Sequence, residues 1–189
     1  MAAEPTVDGG PASGLPPRFA ALHRELGIPS NYAVTRGLPF HGEVDEATLV
    51  DVGPSPDGRP VRLVPSAADA WHRLRQAAMN DGVELVAVSG FRSVARQTEI
   101  IRSKLQAGRA LPDILTVIAA PGFSEHHTGR AIDIGTPGYL DLEENFAETD
   151  AFRWLQARAG GFGFHLSYPR GNAWGITYEP WHWLFCPPD

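Results

Sequence analysis

The sequence has 189 residues, 43% of them hydrophobic, which is enough to build one globular domain around its own core. Its formal net charge is −6 at pH 7 and it has no runs of Lys or Arg, so it lacks the positive surface of proteins that bind nucleic acid or anionic membranes. The only cysteine, Cys186, excludes an intrachain disulfide. We therefore expect a small partner that is not a polyanion.

Residues 1–17 are rich in Pro, Gly and Ala, and this composition predicts a mobile tail before a single domain over 18–189. The tail has neither the basic start nor the apolar stretch of a secretory signal, and no segment approaches the ~20 apolar residues of a membrane-spanning helix. We expect a cytoplasmic protein as the chain is written, or one of the periplasm or cell envelope if a signal has been removed. We also expect a monomer without membrane insertion.

The first third of the domain is irregular and rich in Gly and Pro. Two short apolar pieces, 49–52 and 60–64, are predicted to pair as a hairpin across the turn between them. Ser66 is predicted to cap a helix that runs to about Asn80, where Asp81-Gly82 ends it.

The β-branched run 83–88 predicts a core strand that leads into a turn over 89–93. Ser93 can cap a second helix, which extends to about Gln106, and a shorter helix is predicted over 112–118. A strand over 130–135 would place Asp133 on a face of small residues, open to a ligand, while two isoleucines face the core.

Further along, Thr149 or Asp150 is predicted to cap a helix that Gly160-Gly161 terminates. Two more strands are predicted over 162–168 and 175–178, on either side of a turn. Because helices and antiparallel strands alternate without regular βαβ units, the predicted fold class is α+β, a small antiparallel sheet flanked by helices.

Two segments carry the residue types of a hydrolytic zinc site. Residues 124–133 read SEHHTGRAID, and residues 179–183 read EPWHW. Such a site takes three ligands from His and carboxylate, keeps a fourth position for water, and uses a further carboxylate to accept the proton of that water. The two segments supply each of these parts.

The spacing resembles that of the zinc D-alanyl-D-alanine carboxypeptidases and dipeptidases of bacterial cell-wall metabolism, the VanY-like, LAS-type metallopeptidases. A third element of this family, Ser89–Ser93, lies upstream, and Gln97 follows Arg92 by five residues. The matching part covers about 83–185, whereas the N-terminal half carries no motif that we can match. The resemblance implies a LAS-type zinc peptidase fold.

By this resemblance one Zn²⁺ ion is held by His126, Asp133 and His182. The residues alone leave His127 as a rival ligand, and the family match selects His126. His127 is a departure, since many relatives have glutamine there. The other histidines are expected to have no role in the site; they are His23, His41, His72 and His165.

The resemblance also makes Glu179 the general base. Glu179 precedes His182 by three residues, a spacing that puts them on opposite faces of a regular strand, so a bend at Pro180-Trp181 is required. Arg92 is implied to stabilise the developing oxyanion or to bind the terminal carboxylate of the substrate. Residues matching positions that bind substrate are Gln97, Ser124 and Tyr168.

The function implied is a zinc D,D-carboxypeptidase that removes the terminal D-alanine from a peptidoglycan stem peptide or its precursor. Three alternatives stay open. The same zinc core serves L,D-carboxypeptidases that trim tetrapeptide stems, and a dipeptidase acting on free D-Ala-D-Ala is a weaker option. A zinc-bearing domain that only binds is the alternative of another class, but such a domain has no need to keep Glu179 and Arg92.

Overall fold

The structure, a computed structural model, describes residues 14–187. The predicted tail, 1–17, lies mostly outside these residues, and Pro17 already begins the first helix. The helices are α1 (Pro17–Leu26), α2 (Tyr32–Arg36), α3 (Pro65–Asn80), α4 (Val94–Gln106), α5 (Leu111–Val117) and α6 (Asp150–Arg158). The strands are β1 (Val50–Pro54), β2 (Pro60–Leu63), β3 (Val86–Ser89), β4 (Ala131–Gly135), β5 (Phe164–Leu166) and β6 (His182–Phe185).

Four strands form an antiparallel sheet in the order β3-β4-β6-β5, which confirms the predicted α+β class. The register of this sheet pairs Ser89 with Asp133 and Asp133 with His182. Three polypeptide segments distant in sequence therefore meet in one row across the sheet. The predicted hairpin is also confirmed, because β1 and β2 pair antiparallel as a separate two-stranded sheet.

Hydrophobic side chains form two separate buried clusters. The main core joins the sheet to α3 and α6, and its members include Trp71, Leu74, Ile132, Phe152 and Phe164. The second core joins the N-terminal helices to α4 and α5, and its members include Leu26, Tyr32, Ile101, Ile114 and Phe123. Within the part of the chain that is described, no helix is both long and apolar enough to cross a membrane.

Local signals predicted two of the helix starts. The Ser93 hydroxyl accepts a hydrogen bond from the Arg96 N–H at the start of α4, and the Thr149 hydroxyl caps α6 through the Phe152 N–H. The predicted Ser66 cap is wrong: Val64 occupies the cap position, because the ring of Pro65 has the backbone angle of a first helical residue and needs no N–H partner there.

Some predicted boundaries were wrong. The strand predicted over 83–88 is β3, which begins only at Val86, and the strand predicted over 162–168 shortens to β5. Gly160 and Gly161 do not end the helical segment as predicted, because they lie in a 3-10 helix that follows α6.

The predicted strand 175–178 does not form. Its backbone makes single bonds to other segments, such as Thr177 N–H to the Thr116 carbonyl at 2.8 Å, and the ladder begins only at β6. Pro180, which has no N–H to donate, lies between this segment and β6, where the pairing starts.

Candidate metal centre and active site

Asp133 and His182 lie opposite each other on the neighbouring strands β4 and β6. Cross-strand neighbours in an antiparallel pair hold their side chains side by side on one face of the sheet. As a result the Nδ1 atom of His182 is 3.1 Å from Oδ1 of Asp133, although 49 residues separate them in the chain. Asp133 is only 2% exposed, but it lines a cavity, so its face is open to a small ligand.

His126 approaches the same carboxylate from the 3-10 helix Glu125–Thr128 that precedes β4. Its Nδ1 atom is hydrogen-bonded to the Gly90 carbonyl at 2.7 Å, and its Nε2 atom lies 3.3 Å from Oδ2 of Asp133. Gly90 is required there because a Cβ atom would stand 2.7 Å from the Arg62 carbonyl oxygen. The histidine is therefore fixed by backbone that itself packs tightly against β2.

These three side chains could hold one metal ion. Their ligand atoms all lie within 4.8 Å of one another, and all three residues are buried. The hydrogen bond to the Gly90 carbonyl leaves the Nε2 lone pair of His126 free, while the bond from His182 Nε2 to Glu125 at 2.8 Å directs Nδ1 of His182 toward Asp133. Two imidazole nitrogens and a carboxylate directed at one point fit the donor set of zinc.

The buried charges in this cluster stabilise one another. Burial alone would raise the pKa of Asp133, but His126 and His182 hold it below its ordinary value. Burial alone would lower the pKa of His182, but its hydrogen bonds to Asp133 and Glu125 raise it to about 10. A metal ion that binds at Nδ1 of His182 takes the place of any proton on that nitrogen.

His127 points away from this cluster. Its Nδ1 atom is hydrogen-bonded to the Arg92 carbonyl at 2.6 Å, and burial lowers its pKa to about 4. The structure therefore brings His126, and not His127, to Asp133 and His182. The cavity beside them is lined by none of the four histidines that were expected to have no role.

Glu179 reaches the cluster through a tight turn. The His182 N–H donates to the Glu179 carbonyl at 3.1 Å, which confirms the predicted bend at Pro180-Trp181. The Glu179 carboxylate lies 3.8 Å from Nδ1 of His182 without contributing to the three-residue cluster. Burial raises its pKa to about 7, with Asp133 adding to the shift and His182 opposing it. A carboxyl group with this pKa can both accept and release a proton near neutral pH.

Arg92 lies three residues after the end of β3, beside the candidate metal centre. Its Nη1 atom donates to Oε1 of Gln97 at 3.1 Å, and its Nη2 atom is 3.9 Å from Oδ2 of Asp133. Gln97 is fully buried, and its amide also donates to the Ala119 carbonyl at 2.7 Å. Gln97, which was expected to bind substrate, lines the cavity beside these residues; its side-chain oxygen accepts the bond from Arg92, and its amide nitrogen donates to Ala119.

A cavity of about 540 Å³ opens in front of these residues, between the sheet and the pair α4 and α5. Ser124 and Tyr168 line it as expected, and the ring of Tyr168 packs 4.8 Å from that of His182. The outer part of the cavity is lined by Ile100, Lys104, Val117, Leu142, Glu143 and Glu144.

Sequence analysis missed two residues behind the metal centre. Glu125 and Ser167 contact each other and, through Glu125, the far side of His182. The Glu125 signal was visible, since a carboxylate stands inside the motif beside His126. Ser167 had no signal, because only the pairing of β5 with β6 brings it close.

Comparison with known proteins identifies the family. Residues 60–188 match the model of the family VanY, D-alanyl-D-alanine carboxypeptidase. A D-alanyl-D-alanine carboxypeptidase of Enterococcus faecalis is 31% identical over 174 residues, covering 87% of this chain and 56% of its own. The chain thus spans little more than half the length of such curated relatives.

Solved structures agree with this match. The LdcB LD-carboxypeptidase superposes with a TM-score of 0.68 at 32% identity, covering 78% of this chain and 71% of its own. A vancomycin resistance D,D-pentapeptidase VanY, a mutant in complex with Zn(II), superposes with a TM-score of 0.58 at 27% identity, covering 78% of this chain and 82% of its own. Family model, relatives and structures converge, and the chain belongs to the VanY family of D-alanyl-D-alanine carboxypeptidases.

Proposed function

We propose that this protein is a zinc-dependent D,D-carboxypeptidase that removes the terminal D-alanine from peptidoglycan stem peptides or their precursors. The observation that carries this proposal is the convergence of His126, Asp133 and His182 with the separate carboxylate of Glu179 at one end of a cavity. The Zn(II) complex of the VanY relative supports zinc as the ion.

A zinc ion held by His126, Asp133 and His182 supplies a Lewis acid that lowers the pKa of water to about 7. Glu179 does the proton transfer. Its carboxylate accepts a proton from the water that attacks the scissile carbonyl, and then returns that proton to the departing amine of D-alanine. The raised pKa of Glu179 suits both halves of this task, because a strongly acidic carboxyl would not return the proton.

Arg92 recognises negative charge in the same cavity. Its side chain is 22% exposed, and its hydrogen bond to Gln97 fixes the direction of the guanidinium. A forked donor held in this way binds a carboxylate or a developing oxyanion. We assign it to the terminal carboxylate or the oxyanion of the substrate, with Ser124 and Tyr168 forming the adjacent walls.

The size of the cavity supports a peptide longer than two residues. Its volume of about 540 Å³ lies in the range of sites for drug-sized ligands, and its outer walls continue well beyond the metal centre. A free D-Ala-D-Ala dipeptide would leave the outer walls uncontacted. This disfavours the dipeptidase alternative.

A second candidate is an L,D-carboxypeptidase that trims tetrapeptide stems. The observation that favours it is the likeness to the LdcB LD-carboxypeptidase, whose TM-score exceeds that of the VanY pentapeptidase. A domain that only binds zinc is disfavoured, since both Glu179 and Arg92 are present and face the cavity.

The test is release of D-alanine by the zinc-loaded protein from matched pentapeptide and tetrapeptide stems, with Glu179→Gln as the control. Release from the pentapeptide alone supports the D,D-carboxypeptidase. Release from the tetrapeptide alone replaces it with the L,D-carboxypeptidase. A zinc-loaded protein that cuts neither stem would overturn both carboxypeptidase candidates and leave the dipeptidase and the domain that only binds zinc.

A further inference from the structure

We infer that Glu125 is a positioning residue that sets the metal-binding form of His182. This inference depends on the metal centre of the proposed function, but it does not depend on which peptide is cut. It concerns a hydrogen-bonded chain behind the site, Ser167 to Glu125 to His182, of which Ser167 and Glu125 lie outside the cavity lining.

The contacts of Glu125 are short and enclosed. One carboxylate oxygen, Oε2, accepts from Nε2 of His182 at 2.8 Å and from the Ser167 hydroxyl at 2.6 Å. The side chain of His182 is 3% exposed and that of Glu125 is 13% exposed. Glu125 belongs to the 3-10 helix before β4, Ser167 follows β5, and His182 begins β6, so the chain links three separate segments.

The chemistry of the acceptor determines which nitrogen of His182 carries the proton. When the Asp133 carboxylate is bound to a metal ion, a neutral His182 imidazole keeps one N–H, and the carboxylate of Glu125 can only accept, so Glu125 places that proton on Nε2. Nδ1 is then the atom with a free lone pair, and it is the atom 3.1 Å from Asp133. Without Glu125, neither the tautomer nor the orientation of the ring would be fixed on this side.

The two histidines of the site are held by different acceptors. His126 donates to a neutral backbone carbonyl, that of Gly90, whereas His182 donates to a carboxylate. A charged acceptor makes the imidazole a stronger electron donor to a metal. Glu125 is not itself a fourth ligand, because it contacts the ring at Nε2, the nitrogen on the far side from Asp133.

The experiment measures zinc affinity by competition with a chelator, which needs no turnover. We expect Glu125→Ala to weaken zinc binding by about 10- to 100-fold, the usual effect of losing such a partner. Glu125→Gln keeps an acceptor and loses only the charge, so its loss should be smaller. Ser167→Ala should show the smallest loss, and Glu148→Ala, which removes an exposed carboxylate, should bind as the parent does.

Two further measurements separate positioning from a general structural role. Thermal melting of the metal-free variants shows whether each is folded, and the ¹⁵N shifts of His182 in the zinc-bound protein report which nitrogen carries the proton. We expect Nε2–H in the parent and in Glu125→Gln. If Glu125→Ala does not fold, the zinc affinities of Glu125→Gln and Ser167→Ala test the inference instead.

A folded Glu125→Ala or Glu125→Gln protein with parental zinc affinity would overturn the inference, as would a His182 proton on Nδ1. A parent protein that binds zinc but cuts no stem peptide would overturn the proposed function alone. In that case a weakened affinity in Glu125→Ala would still support the positioning role.

Discussion

The two ends of the cavity differ in how their side chains are held. At the inner end, His126, Asp133 and His182 are buried, and backbone or side-chain partners fix each one. At the outer end, Val117, Leu142 and Glu143 are half-buried or exposed. The inner end is built from two paired strands and the 3-10 helix that precedes β4, and the outer end from helix surface and loop.

This difference separates chemistry from substrate choice. Groups that bind a metal and move a proton must be held to within a fraction of an ångström, which strands and fixed hydrogen bonds provide. Contacts to the rest of a peptide tolerate variation, and loops provide them. Changes at the inner end should therefore abolish catalysis, whereas changes at the outer end should shift the preference between stems.

The largest effect is expected from Asp133→Asn, which removes the negative charge shared by the two histidines. The asparagine amide is a poor zinc ligand, and it has no negative charge to stabilise a metal ion or a protonated His182. We expect zinc to be lost on dialysis, and activity to fall by more than the ~10²–10⁴-fold typical of losing a general base. Metal analysis beside an activity assay checks this, with exposed Asp141→Asn as control. Zinc retained at parental content would show that Asp133 is not a ligand.

Glu179→Gln should lose less zinc than Asp133→Asn, but its turnover should fall nearly as much. The side chain lies outside the three-ligand cluster, so zinc content should match the parent. Turnover should fall by about 10²–10⁴-fold because the amide cannot accept a proton. Loss of zinc together with turnover would make Glu179 a ligand instead of the base.

Arg92→Lys tests whether catalysis needs the forked guanidinium of Arg92 or only its positive charge. Lysine keeps the positive charge but cannot reproduce the fork that bonds Gln97 and faces Asp133. We expect kcat/KM for the stem peptide to fall by about 10²–10³-fold with zinc retained. The fall should lie in kcat if Arg92 acts on the oxyanion and in KM if it binds the terminal carboxylate. Full activity would exclude both roles.

The inner end was also the part that the sequence predicted best. Alternation over 130–135 gave β4, and the resemblance to a known family named the three side chains that converge there. The serine and threonine caps at Ser93 and Thr149 were readable because the capping interaction spans only three residues. These features are local, or are repeated in a known motif, and so a single chain displays them.

What could not be predicted depends on pairing between distant segments. The position of β6 required knowing that His182 stands opposite Asp133, and the segment 175–178, which begins seven residues before β6, was predicted as a strand instead. The hydrogen-bonded chain from Ser167 through Glu125 to His182 was not predicted either, since only the pairing of β5 with β6 brings Ser167 close to Glu125. The sequence predicted a substrate-binding role for Gln97 but not its hydrogen bond to Arg92, because that bond depends on how the folded chain brings the two side chains together.

The smallest effect is expected from Leu142→Gly at the outer end. Leu142 has a φ of 55°, a left-handed conformation that costs a side chain about 1–2 kcal/mol and glycine little. Removing the side chain should therefore stabilise the fold slightly, while the loss of a half-buried cavity contact should raise KM for the stem peptide by less than about 10-fold. The matched variant Leu142→Ala loses the same contact but keeps the strain, so KM should rise without any gain in melting temperature. Because neither variant touches zinc, Glu179 or Arg92, kcat should stay at the parental value in both. A fall in kcat comparable to that of Glu179→Gln would mean that the outer end also takes part in the chemistry, and the division between the two ends would not hold.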